Sequence, residues 1–366
     1  MSDDFKKRLD DYAEGKLSSE EEMELNKELE KMEQYQAHLD EQMGPNKKNI
    51  DFEHYNKKQQ KILKRGKWKA RFQNGLTAIG ILIIVTLLCS FLTTAFYALG
   101  NRGEVYNDVI KSTIAFTKPN SKVISESFSP NTFFTMNWSG ELSKEIGDDI
   151  ETSNKYNMNF LFHSPWSMDN QLKNKQSDYF ISPNHNDNPK NDWDKLENLP
   201  EGTVVEAYIS FDQFYTTSQV FNRLQGQNYR PVWFAVESGQ NKENENSNNI
   251  HNSTIGMPLI PVNQSSTSES GNGSISSQQV INSPENRNDK FIQTLRLMRD
   301  YEHISEEIIA DPSFNLDNTI RFIEENGVNI YGAVITGPTK EILNLQDEGW
   351  VSDVSVGESR LWNWNQ

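Results

Sequence analysis

The sequence predicts a helical amino-terminal module, one transmembrane helix and a carboxy-terminal α+β domain on a mixed sheet, with a ferredoxin-like plan as the candidate topology. Three observations lead there. Residues Leu76 to Leu99 form an unbroken run of 24 uncharged, mostly apolar residues, long enough at about 1.5 Å per residue to cross a hydrocarbon core of roughly 30 Å. The first 45 residues carry apolar positions at helical spacing between capping signals. Beyond residue 200, β-branched and aromatic runs alternate with amphipathic stretches. The expected organisation is a helical module at 1–45, a basic juxtamembrane segment at 46–72, the span at 73–99, an exported stem and first subdomain at 100–200, and an α+β domain at 201–366 with a disordered insertion at 239–286.

The module reads as two helices. Ser2 or Asp3 can accept from the first turn's free amides, Phe5, Leu9 and Tyr12 fall at helical spacing, and Gly15 is placed to stop the helix. Ser18 and Ser19 stand three residues before Glu21 and Glu22, a capping-box pattern, and the acids from Glu20 to Glu24 complement the helix dipole. Leu25, Leu29, Met32, Leu39 and Met43 continue an apolar stripe that only Gln36 breaks, and Gly44-Pro45 ends it. Two helices of this length bury too little apolar surface to be stable alone, so the module is expected to complete its fold on a partner. A coiled-coil dimer is the alternative, but the stripe covers barely three heptads.

Next come Lys57, Lys58, Lys61, Lys64, Arg65, Lys67, Lys69 and Arg71 with Trp68 among them and no acid. This segment could form a third, amphipathic helix on the membrane surface. The exit side of the span offers only Arg102, Glu104, Asp108 and Lys111 nearby, so the positive-inside rule puts the amino terminus in the cytoplasm and the large domain outside. A cleaved signal peptide is disfavoured because the apolar run starts so far from the amino terminus. Net charge is −8 over residues 1–45, +8 over 46–71 and −16 over 102–366. An acidic module therefore hangs from a basic stalk that anionic lipid would hold close. Direct nucleic-acid binding is not expected of it, since phosphates need Lys and Arg. Cys89, the one cysteine, lies in the span, so the exported part has no disulfide or thiolate metal site and relies on an ordinary core.

In the exported part a helical start (Val105, Val109, Ile110, Ile114) is followed by extended pieces such as 131–138. Residues 154–200, rich in Asn, Asp, Pro and Ser, suggest no order of elements. Strands are then expected at 204–211 and 231–236 with a helix at 213–224 between them. After the Asn/Ser/Gln-rich insertion come helices at 288–309 and 316–326, a strand at 329–335, a helix at 339–345 and a strand at 350–356. Two strand-helix-strand units result. No catalytic residue or cofactor is expected: His163, His185, His251 and His303 are scattered, and no nucleophile elbow, phosphate loop or zinc-protease helix is present. His185, Asp187 and Asp192 offer oxygen-rich calcium chemistry, but EF-hand spacing is missing and a polar loop is the stronger reading. Trp138, Trp166, Trp193, Trp233, Trp350, Trp362 and Trp364 are expected mostly as core or lid residues.

The opening Phe5-Lys6-Lys7-Arg8-Leu9-Asp10-Asp11-Tyr12, then Gly15, Leu17-Ser18 and an acidic helix ending Glu33-Gln34-Tyr35-Gln36, resembles membrane-bound anti-sigma factors of bacilli, above all the sigma-M type with its sigma factor regulator domains. The resemblance implies sequestration of an extracytoplasmic-function sigma factor on the cytoplasmic side, through Phe5, Leu9, Tyr12, Leu25, Leu29, Met32 and Leu39, and release on an envelope signal. Zinc-binding members of the wider class carry a His with a Cys-x-x-Cys pair; His38 and His54 here have no such cysteines, so no metal is expected. Transmission through one helix can use proteolysis, a change in association, or a second small membrane protein. The competing functions are a membrane-tethered cell-envelope enzyme, whose anchor would not need capped helices with an apolar stripe, and a scaffold of wall synthesis whose inside helices bind a structural protein.

Overall fold

Residues 3–13, 16–42, 52–169, 179–184, 190–240, 254–260 and 284–362 are described in this computed structural model, which divides into two units, 1–81 and 82–366. The first unit holds α1 (Asp3–Ala13), α2 (Ser19–Gln42) and the beginning of α3 (Phe52–Ala98). Met43, Gly44 and Pro45, expected to end α2, lie outside the described residues. The expected separate surface helix at 46–71 is not what forms: α3 runs through the basic segment into the apolar run as one helix of 47 residues. Gly66 and Gly75 meet nothing where a Cβ would stand, and no proline interrupts the ladder, so nothing breaks the helix there. Among the described residues this is the one helix long and apolar enough to cross a membrane.

Helix α3 ends at a short 3₁₀ turn in which Gly100 and Asn101 take left-handed conformations (φ 71° and 52°), and the chain turns into α4 (Arg102–Thr117). Twelve of its sixteen residues are buried, which marks a helix enclosed by the domain it enters. One end packs Tyr106, Val109, Ile110 and Ile114 into a core with Met136, Trp138, Met158 and Phe160. The other end sends Ala115 and Phe116 into a second, larger core. Two indoles fix it: Trp138 Nε1 donates to Asn107 Oδ1 at 2.8 Å and Trp233 Nε1 to the Ala115 carbonyl at 2.9 Å.

A four-stranded antiparallel meander follows: β1 (Lys122–Pro130), β2 (Thr135–Ile146), β3 (Asp149–Leu161) and β4 (Ser164–Met168). The second sheet takes β5 (Thr203–Thr216), β6 (Arg230–Val236), β7 (Ile255–Pro258), β8 (Asn329–Pro338) and β9 (Val351–Leu361) in the order β7-β6-β8-β5-β9. Every neighbouring pair is antiparallel, which corrects the expected mixed sheet. The two expected strand-helix-strand units are nevertheless present and split: β5-α6-β6 with α6 (Thr217–Leu224) skips over β8, and β8-α10-β9 with α10 (Thr339–Leu343) skips over β5. Four strands therefore carry the interlocked order of a ferredoxin-like sheet, and β7 extends its edge.

Three boundaries depart from expectation. The insertion at 239–286 is not disordered throughout, because β7 lies in it and pairs with residues 233–236. Residues 213–216 continue β5 instead of opening the helix, because Thr216 and Gln219 form a reciprocal cap that starts α6 one residue later. The helix expected at 288–309 is two, α7 (Pro284–Asp300) and α8 (Glu302–Ile309), separated at Tyr301. The break sends Phe291, Leu295 and Met298 to the larger core and Ile304 and Ile308 to the core around α4. Helix α9 (Leu316–Asn326), capped by the Asn315 side chain, completes the layer, and α5 (Trp193–Glu197) precedes β5.

Candidate functional site

The capping box at the head of α2 is formed. The Ser18 backbone N–H and hydroxyl donate to Glu21 Oε2 at 2.9 and 2.7 Å, and the Glu21 N–H returns to Ser18 Oγ at 3.4 Å. The backbone bond from Ser18, with its hydroxyl second, holds the Glu21 carboxyl below the usual range. Arg8 on α1 reaches Glu28 on α2 at 3.4 Å. Leu25 is fully enclosed and Phe5 is only 9% exposed, so these two sequence-selected residues are already covered in the chain by itself. Leu29 is half-buried and the Leu9 side chain is not among those described. Tyr12, Met32 and Leu39 remain open to solvent.

Tyr35, 67% exposed, was absent from the expected set. It stands three residues after Met32 and four before Leu39, so the three share one face of α2. Counting tyrosine among the apolar positions would have found it. Around this row Glu28, Glu30, Glu33 and Glu41 are all exposed. This face of α2 thus carries an apolar row among exposed carboxylates, with exposed Lys27 and Lys31 between them.

The residues expected to flank a membrane lie on α3. Lys61, Lys64, Arg65, Lys67, Lys69 and Arg71 are exposed, whereas the side chains of Lys57 and Lys58 fall outside the described set. Trp68 stacks on Phe72 with ring centres 6.2 Å apart, the amphipathic pairing expected at headgroup depth.

Elsewhere the chemistry is structural. Asp192 accepts the Val356 N–H at 3.1 Å and pairs with Lys195 at 2.8 Å; its carboxyl, which burial alone would raise, is held low by those partners. It latches the chain before α5 to β9, while His185 and Asp187 lie outside the described residues. Trp138, Trp193, Trp233 and Trp350 are buried, Trp166 and Trp362 are exposed, and Trp364 is not described. His163 and His303 meet edge-on at 5.4 Å. Among the described residues no three His, Cys, Asp or Glu side chains gather to hold a metal.

A small acidic helical module, a helix long and apolar enough to cross a membrane, and an α+β domain are the parts of a membrane-anchored protein, and comparison with known proteins makes it a regulator. The sigma factor regulator N-terminal family matches residues 60–149 and the sigma factor regulator C-terminal family residues 196–358. The chain is also 30% identical over 374 residues, with all of both chains covered, to the probable anti-sigma-M factor YhdL of Bacillus subtilis (strain 168). It belongs to the sigma factor regulator family of bacillar anti-sigma factors. No solved structure matches it. The family is regulatory, which does not favour the envelope-enzyme and scaffold readings. Neither family match covers residues 1–59; the full-length relative does.

Proposed function

We propose that α1 and α2 lie in the cytoplasm and sequester an extracytoplasmic-function sigma factor, and that the two-sheet domain lies outside and governs its release on an envelope signal. The observation that carries this reading is the exposed row Met32, Tyr35 and Leu39 on the acidic helix α2, in which Leu25 is already buried. A sigma factor presents basic surfaces for DNA and apolar surfaces for core polymerase, the complement of that row. Each large side chain fully buried on binding contributes about 1.5–3 kcal/mol before ordering costs. The carboxylates steer association and select basic partners. Eight basic residues between Lys57 and Arg71 support the cytoplasmic placement. The most apolar 18-residue window of α3 is buried by none of the described residues, which leaves its surface to lipid or to a second small membrane protein that passes the signal.

The test is co-purification of the host's sigma factors with the tagged full chain in detergent. One sigma factor is expected with the wild type. Met32→Asp and Leu39→Asp should each weaken its retention about tenfold or more, and Leu29→Asp should raise expression of that sigma factor's genes. Undiminished retention by the two exposed-face variants would remove this face from the interface.

A further inference from the structure

Two hairpin turns of the first sheet are bolted to the last turns of α3. The Phe134 N–H donates to Thr93 Oγ1 at 2.8 Å, and the Tyr97 hydroxyl lies within donating distance of the carbonyls of Phe134 (3.0 Å) and Phe162 (2.7 Å). The Phe162 N–H in turn donates to Phe134 at 2.8 Å. Phe134 and Phe162 stack at 4.7 Å, and Phe96 meets both edge-on at 5.9 and 5.8 Å. Phe133, Phe134 and Phe162 all take left-handed backbone conformations, with φ of 59°, 58° and 55°, a costly choice for bulky residues. The turns thus spend backbone strain to aim aromatic rings. Phe133 and Phe162 nevertheless leave 53% and 42% of their surface uncovered.

Thr93 lies six residues before Leu99, the end of the apolar run, so the turn touching it reaches about 9 Å inside that run. Interfacial elements sink roughly 5–10 Å into the headgroup and acyl boundary. Backbone groups at that depth find no water and must be satisfied by protein. The amides of Phe134 and Phe162 and both their carbonyls are satisfied, three of the four contacts by side chains of α3 and the fourth by the backbone bond between the two turns.

We propose that the turns bearing Phe133 and Phe162 form a foot that inserts into the leaflet at the carboxy-terminal end of α3, so that the two-sheet domain is seated in lipid. This rests on α3 crossing the bilayer and is independent of sigma binding. The occupant of the exposed rings is the acyl boundary of that leaflet, because the contacts to Thr93 and Tyr97 set their depth.

The test is spin labelling of the full chain in phosphatidylglycerol and phosphatidylethanolamine vesicles. In a Cys89→Ser background, a nitroxide is placed at Phe133→Cys and, as a second probe on the same turn, at exposed Asn131→Cys. Exposed Lys340→Cys is the water control, and the native Cys89 labelled by itself is the lipid control. The Phe133 probe should collide with oxygen several-fold more than with a nickel chelate, as at Cys89, and Lys340 should show the reverse; Asn131 serves alone if the first variant does not fold. A foot probe as accessible to nickel as Lys340 overturns the proposal, as does one shielded from both reagents, which would mean that protein covers it. Nickel access at Cys89 would overturn the span, and the foot with it.

Discussion

Burying a carboxylate without partners is costly, and Glu206 on β5, 1% exposed, is well supplied with them. Asn120 Nδ2 donates to it at 2.8 Å, the Glu358 N–H at 3.4 Å, and Lys144 Nζ stands 3.7 Å away. One side chain therefore joins the turn after α4, β2 of the first sheet, and β5 and β9 of the second. Burial alone would lower the Lys144 ammonium pKa, but Glu206 and then Glu358 hold it above the usual lysine range. Lys144→Met should cost about 2–3 kcal/mol in thermal melts of the detergent-solubilised chain, less than for a sealed pair, because 33% of the lysine side chain meets water. Lys340→Met, which removes a pair to exposed Glu201, should leave the melt unchanged. His303 gives the pH dependence. Burial first, then His163, depresses its pKa, and its Nε2 has no hydrogen-bond partner among the described residues. Folding thus favours the neutral ring, so its contribution is complete above the unfolded value near 6.5 and is lost as pH falls through the lower folded value. The melting temperature should drop on acidification below about pH 6.5, and His303→Phe should flatten that slope.

At the scale of elements, β7 shows how a strand survives in a segment whose composition argues against one. A Cβ at Gly256 would run into the Phe234 carbonyl and the Trp233 ring, so the strand docks on β6 only because that position is bare. Gly256→Ala should cost about 1–3 kcal/mol and speed hydrogen exchange at 255–258 and 233–236 while sparing β5 and β8, the inner pair. The same contrast explains what could be read from sequence. Strands β5 and β8 are nearly continuous buried apolar runs, and their period is plain; the two split units follow from them. β1 is mostly exposed along its length, so its alternation is weak, and only the Asn131–Trp138 piece of the meander stood out. The foot was invisible because Thr93, Tyr97, Phe134 and Phe162 meet across 37 to 65 residues, and no local pattern reports such a contact. In the module the apolar stripe named Leu25 and Met32 alike, since spacing places residues on a face but cannot say which of them the free chain already covers.

At the scale of the whole molecule, function depends on which compartment receives each end, and electrostatics supplies the argument. Eight basic residues precede the apolar run within fifteen positions, while Arg102 and Lys111 on the far side are matched by Glu104 and Asp108. Each Lys or Arg near an anionic inner leaflet contributes about 1 kcal/mol, so the bias toward a cytoplasmic amino terminus is several times thermal energy. Alkaline phosphatase, which folds only outside the cytoplasm, should be active when fused after residue 362 and inactive when fused before residue 1. Replacing Lys61, Lys64, Lys67 and Lys69 by Glu removes half of the cluster and opposes the rest. A measurable fraction of carboxy-terminal fusions should then lose phosphatase activity, and sigma sequestration should fall in proportion, because an inverted chain carries Met32, Tyr35 and Leu39 away from polymerase. If phosphatase activity falls while sequestration holds, the module does its work without being tethered, and anchoring serves the sensor alone.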